Sequence, residues 1–178
     1  MAKLNIIIAP DMRLKRKCLP VDTVDAATAK LMSDMLETMY DAPGIGLAAP
    51  QVGVAKRIIV VDPAMEKAPP APIKMANPEI IWTSDEKKTH EEGCLSLPQE
   101  YDIVERPDKI RVRYVDEKNK TQEIEADGLL SVVIQHEIDH LEGTLFVDHI
   151  SSLKRGMILR RLTKQKKQGR TYYDTEPA

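Results

Sequence analysis

Apolar residues recur along this chain at two different spacings. From Asp22 to Tyr40, the residues Val24, Ala27, Leu31, Met35 and Met39 fall three or four apart, which predicts a helix, and Pro43-Gly44 supplies its stop. From Lys56 to Asp62 the pattern changes to an unbroken β-branched centre, Ile58 to Val61, expected of a buried strand. Lys109 to Asp116 alternates Ile110, Val112 and Tyr114 with Arg111 and Arg113, the period of a half-exposed strand. Thr121 to Ala126 is its expected partner, across a turn at Lys118-Asn119-Lys120. Asp127 stands where a cap belongs, ahead of a helix from Gly128 to Leu141 closed by Gly143. A last helix is expected from about Ser152 to Gln168. Met65 to Pro72, with three prolines among Ala and Lys, reads as a surface loop. Strands precede and separate helices without regular alternation, so the fold class is α+β.

Composition narrows the partners. A chain of 178 residues supports one core, and a single domain is the default. Aromatic content is only 4%, with one Trp82 and one Phe146, so the core must be built mostly from Ile, Val, Leu, Met and Ala. A formal net charge of -2 carries no overall nucleic-acid signature. Charge is nevertheless uneven: Ser151 to Tyr173 holds eight Lys or Arg and no acid, which is either a solvated helix face or a contact for an anionic surface. Two cysteines far apart, Cys18 and Cys94, do not make a secreted disulfide scaffold. The opening MAKLNIIIAPD has too short an apolar run for a signal sequence or membrane span, so the cytoplasm is the expected location, without a membrane partner.

The chemistry concentrates in Gln135-His136-Glu137-Ile138-Asp139-His140. Two histidines four apart on a helix project from one face, where both imidazoles can hold one ion. Glu137 follows the first of them, where a carboxylate can reach a water beside the ion without itself being a ligand. The helix is otherwise largely apolar, and burying these groups is costly without partners. A catalytic site of this kind needs a third protein ligand. The extended zinc-peptidase pattern would place a His at 146, and that position is Phe146. Upstream candidates are Cys18, Cys94, His90 and a few carboxylates. Cys94 is best placed, in a segment that Gly93 and Pro98 bracket and that reads as stiff and irregular.

Three segments in this order, Gly44-Ile45-Gly46-Leu47-Ala48-Ala49-Pro50-Gln51, Glu92-Gly93-Cys94-Leu95-Ser96 and Gln135 to His140, resemble the peptide deformylase family. The resemblance runs from about residue 5 to 165. It implies an α+β fold in which antiparallel sheets surround a central metal helix, with an N-terminal and a C-terminal helix. It implies Cys94, His136 and His140 as ligands of one divalent ion, Fe2+ in cells, with Zn2+, Ni2+ or Co2+ also able to occupy the site. The activity implied is hydrolysis of the formyl group from N-formylmethionine on nascent polypeptides, releasing formate. Glu137 would then move the proton, while the Gln51 amide and the Leu95 backbone N–H receive the oxyanion. Ile45 and Gly46 would pair with substrate backbone, and Leu129 and Val133, with Val132 beside them, would line a methionine slot.

Weaker expectations attach to His90, Tyr101 and Arg106 as borders of a substrate groove, and to His149 as a surface or satisfied residue. An enzyme acting on nascent chains gives the basic C-terminal helix a use in contacting ribosomal RNA, through Lys154, Arg155, Arg160, Arg161, Lys164, Lys166 and Lys167; no DNA partner is expected. The competing readings are a zinc peptidase using the same helix and a non-catalytic ribosome-associated metalloprotein.

Overall fold

The run Ile58–Val61 is buried along its whole length because a helix covers each of its faces. The computed structural model describes residues 3–64 and 68–173. In chain order these form α1 (Ala26–Asp41), β1 (Gly46–Ala48), β2 (Ile58–Val61), β3 (Ile73–Thr83), β4 (Lys87–Cys94), β5 (Leu97–Pro107), β6 (Ile110–Val115), β7 (Thr121–Ala126), α2 (Gly128–Leu141) and α3 (Ser152–Lys167). Short 3-10 turns lie at Met12–Lys15, Ala49–Val52 and Phe146–His149. The fold is α+β. Five strands form one antiparallel sheet in the order β1-β2-β3-β6-β7, and β4 and β5 form a separate two-stranded ribbon.

Successive side chains of β2 point to opposite faces. Ile58 and Val60 pack with Met32, Met35 and Met39 of α1, while Ile59 and Val61 pack with Val133, Ile134, Ile138 and Leu141 of α2. Both faces being covered is why the strand shows no alternation. In β6 the alternation is real: Ile110, Val112 and Tyr114 join the α2 face, and Arg111 and Arg113 pair outward with Glu125 and Glu123 of β7. The predicted turn between these strands is present, with Asn119 in the left-handed region at φ 61°. A third apolar cluster joins Leu97 and Val104 of β5 to Phe146, Val147, and Ile158 and Leu162 of α3.

Several boundaries differ from the sequence reading. Helix α1 starts at Ala26 rather than Asp22, because the Asp25 side chain caps it by accepting from the Thr28 N–H at 2.8 Å. Val24 lies ahead of the helix, with its N–H held by Asn119 Oδ1. Asp127 occupies the cap position of α2, but its side chain makes no capping hydrogen bond. The segment between Gly93 and Pro98 is irregular within a hairpin: Cys94 pairs with Leu97, so only Leu95 and Ser96 connect β4 to β5, and the register shifts between Gly93 and Cys94. Strands β1, β3, β4 and β5 were not anticipated. In β3 the alternation is broken by Asn77, at φ 50°, and the register shifts between Ala76 and Glu79. Asn77 is used there to grip Val21, accepting its N–H at 2.7 Å and donating to its carbonyl at 2.8 Å. Of the expected loop, Met65–Lys67 lies outside the described residues, and 68–72 carries neither helix nor strand.

Candidate metal centre and substrate cleft

Helix α2 is buried on nearly every side, and this is what makes its polar residues informative. His136, Glu137 and His140 are 7%, 4% and 1% exposed. The two imidazoles stand one turn apart, ring centroids 5.1 Å from each other and edge to face. The β4–β5 hairpin carries Cys94 to the same point and is anchored by the Ala9 N–H donating to the Ser96 carbonyl at 2.8 Å. Potential ligand atoms of Cys94, His136 and His140 all lie within 4.8 Å of one another. Cys94 Sγ is 3.3 Å from His140 Nε2, close to the edge of a tetrahedral site, about 3.3–3.8 Å.

The donor set fits a metal ion on chemical grounds. Two nitrogens and one sulfur from three residues leave a fourth position open, the composition of a catalytic site. Burial lowers the proton affinity of His140 well below the usual histidine value, keeping it a neutral imidazole with a lone pair to give. Burial also opposes charge on His136, but hydrogen bonds with Cys94 and Glu92 outweigh it and raise its proton affinity. Proton and metal compete for that ring.

The surroundings fix the His136 ring. Its Nδ1 lies 2.9 Å from Glu92 Oε1, leaving Nε2 for the site. Glu92 is itself gripped by Arg106 through Nε at 2.6 Å and Nη2 at 2.9 Å, and Arg106 Nη1 reaches Asp139 at 2.9 Å. Burial alone would push the Glu92 carboxyl up; the Arg106 guanidinium and His136 more than offset it and hold it at about 2. A carboxylate behind a ligating histidine sets the tautomer and the ring direction. Asp139 also meets His149 Nε2 at 2.8 Å.

Glu137 has the opposite environment. Its Oε2 is buried without a hydrogen-bond partner among the described residues, and burial raises the carboxyl to about 7. Its Oε1 stands 4.0 Å from His136 Nε2. A carboxyl with that proton affinity is poised to take and return a proton near neutrality. Gly46 makes room for it: a Cβ there would lie 2.6 Å from Glu137 Oε1 and 2.9 Å from Val133 Cγ1.

Beside this centre opens a cleft of about 580 Å³, lined by Gly44, Ile45 and Gly46 on one side and by Leu129, Val132 and Val133 of α2 on another. Cys94, Leu95, His136 and Glu137 also face it.

Residues 3–156 match the family described as Polypeptide deformylase. The chain belongs to the polypeptide deformylase family. A peptide deformylase of Methylocella silvestris is 54% identical over 165 residues, which is 91% of this chain and 84% of that protein. One from Rhizobium meliloti is 53% identical over 162 residues, 91% of this chain and 93% of that protein. The crystal structure of peptide deformylase from Ehrlichia chaffeensis superposes with a TM-score of 0.89 at 38% identity, over 94% of this chain and 99% of that one.

Within this deformylase fold, the residues singled out from sequence divide by position. Ile45, Gly46, Leu129, Val133 and Leu95 line the cleft with the Cys94, His136 and His140 cluster beside them. Gln51 does not line it: 1% exposed, it accepts the Ala48 N–H at 2.9 Å and directs Nε2 to Ser96 Oγ at 3.0 Å and Cys94 Sγ at 3.5 Å. Tyr101 borders the cleft, whereas His90 and Arg106 do not. Arg106 lies behind the centre as a buried partner of two carboxylates, and His149 is satisfied by Asp139. Cys18 lies away from the cluster, in the core against α2. Glu92 and Ser96 were not singled out by sequence reasoning. The adjacent pair Glu91-Glu92 carried a signal, since in a strand only one of them can face the helix, and Glu91 is exposed while Glu92 is buried.

Proposed function

We propose that this chain removes the formyl group from the N-terminal methionine of nascent polypeptides, with Cys94, His136 and His140 holding one divalent metal ion. The observation that carries the reading is the buried Glu137 carboxyl, whose Oε2 has no hydrogen-bond partner among the described residues, beside a Cys-His-His cluster in a member of a metal-dependent deformylase family. When bound, the ion supplies Lewis acidity that makes water a competent nucleophile at neutral pH.

The chain's own groups do the rest. Glu137, with its raised proton affinity, accepts the proton of the attacking water and returns it to the departing amine. Glu92 and Arg106 hold the His136 ring in place. The Gln51 Nε2 donor, which in this structure meets Ser96 Oγ at 3.0 Å and Cys94 Sγ at 3.5 Å, and the Leu95 backbone N–H are assigned to the oxyanion. Ile45 and Gly46 offer backbone to an extended peptide, and Leu129, Val132 and Val133 supply apolar wall for the methionine side chain.

Replacing Glu137 with Gln tests the reading directly. Metal content is expected to persist while formate release from a formyl-Met peptide falls by about 10²–10⁴-fold. Retained turnover would overturn the mechanism. A purely structural metal site, or a peptidase, would release no formate even in the parent protein.

Ferrous iron is assigned as the ion in cells, with zinc, nickel or cobalt as replacements. A thiolate beside a redox-active ion makes activity decay in air, and substitution by nickel protects it. Equal air stability of the two metal forms would count against iron.

A nascent substrate also implies work in the cytoplasm, near the ribosome; no helix among the described residues is long and apolar enough to cross a membrane. Part of the basic charge of α3 serves the fold instead: Lys154, Arg155 and Arg161 pair with Asp102, Asp148 and Glu100. The ribosomal reading therefore rests on exposed Arg160 and on three lysines exposed at the end of α3, Lys164, Lys166 and Lys167. Neutralising these three is expected to abolish ribosome co-sedimentation at low salt, and unchanged binding rejects the contact.

A further inference from the structure

The family match ends at residue 156, yet the cleft has a wall built from residues beyond it. After α3 the chain reverses. Gly169, at φ +71°, takes a left-handed conformation, and the Arg170 N–H donates back to the Gln165 carbonyl at 3.1 Å. The four residues that follow return to the mouth of the cleft and are tied down along their length. Arg170 Nη2 donates to Gln99 Oε1 at 2.9 Å, and its guanidinium lies 5.1 Å from the centre of the Tyr172 ring. The Tyr172 hydroxyl donates to the Gln165 side chain. The Tyr173 hydroxyl donates to the Leu95 carbonyl at 2.8 Å, one residue from Cys94. Both tyrosines are half-buried, and both line the same cleft as Glu137 and His136.

We propose that Tyr172 and Tyr173 are specificity-determining residues, forming the wall that meets the second and third residues of the peptide and favouring apolar or aromatic side chains there. The inference rests on the deformylase reading of this cleft. Its physical basis is that both hydroxyls are committed to protein acceptors, so what the tyrosines offer a ligand is ring surface. Gly44 to Gly46 line the same cleft and are assigned to substrate backbone, and an extended chain advances about 3.3 Å per residue, so residues beyond the methionine lie progressively farther from Val132 and Val133. A tether at Leu95 fixes the distance between this wall and the metal cluster.

Formate release is measured for formyl-Met-X-Ala and formyl-Met-Ala-X peptides with X as Leu, Phe, Ala or Lys, on the metal-loaded protein. The parent is expected to prefer Leu or Phe over Lys by about tenfold in kcat/KM at one of these positions, carried by KM. Tyr172→Ala with Tyr173→Ala reduces that ratio to about twofold or less. Tyr172→Ala alone keeps the Leu95 tether and still lowers the ratio, which covers a double variant that does not fold. Tyr173→Phe retains the ring, drops the hydroxyl and keeps the preference. Arg160→Ala, whose side chain donates back to the Gly156 carbonyl of its own helix, leaves the ratio at the parental value. A ratio unmoved in both alanine variants, no preference in the parent, or Tyr173→Phe losing the preference as fully as the alanine variants would overturn the assignment. A parent that releases formate from none of the peptides sinks the deformylase reading itself.

Discussion

Gly46 shows how one missing methyl group can make room for a buried carboxyl. No left-handed backbone requires glycine there; the requirement is the approach of Glu137 Oε1 to where a Cβ would stand. At 2.6 Å neither atom can stay, and Val133 at 2.9 Å closes the other direction of escape. Gly46→Ala is therefore expected to displace Glu137 and lower kcat by about 10²-fold, since displacements near 1 Å cost that much. Steady-state formate release checks this, and a kcat within a factor of about two of the parent would show that the carboxyl has room to give. The same residue illustrates the limit of local reading. A glycine in Gly44-Ile45-Gly46 is legible as a turn or a close approach, but which group approaches is decided by α2, more than 80 positions later.

At the level of elements, the site is a meeting of α2 with the β4–β5 ribbon, and Arg106 is the rivet between them. It is 5% exposed and neutralises Glu92 from β4 and Asp139 from α2. Removing one partner of such a cluster strands the others as buried charge, which costs far more than the pair contributes when intact. Arg106→Leu is expected to destabilise the protein by about 3–5 kcal/mol and to weaken metal binding, because Glu92 then no longer holds His136. Denaturant unfolding with metal titration measures both; a loss under about 1 kcal/mol would mean the carboxylates are reached by water. The elements that sequence displayed well were those whose pattern one packed face dictates. Helix α2 was legible from Gly128 to Leu141, and β6 and β7 from their alternation. The ribbon was not. β4 reads Lys87-Lys88-Thr89-His90-Glu91-Glu92, mostly exposed, so no apolar period marks it, and its strand character comes from pairing with β5.

For the whole molecule, the cluster draws on Cys94 from the ribbon and two histidines from α2, so an ion there would tie together parts far apart in sequence. A ligand that binds only the folded state stabilises it by mass action, about 4 kcal/mol at a thousand times its Kd. Chelation is expected to lower the unfolding midpoint by several degrees and abolish formate release, with both restored on adding metal. His136→Ala should show the low midpoint with or without metal. Identical midpoints for metal-loaded and chelated parent protein would remove the cluster from the folding equilibrium.

By itself the sequence determined the local chemistry. His136, Glu137 and His140 share a helix face because 3.6 residues make a turn, and that follows from spacing alone. It also determined α+β, since helical and strand periods both appear without regular alternation. What it left open was every relation between distant segments. Cys18, Cys94 and His90 all stood as candidates for the third ligand, with Cys94 best placed; only packing puts Cys18 in the core, leaves His90 off the cleft and carries the Cys94 sulfur to 3.3 Å from His140. The same holds for Arg106 behind the centre and for Tyr172 and Tyr173 at its mouth. Side-chain period is a property of the neighbouring backbone, whereas proximity across tens of residues is settled by which faces bury one another.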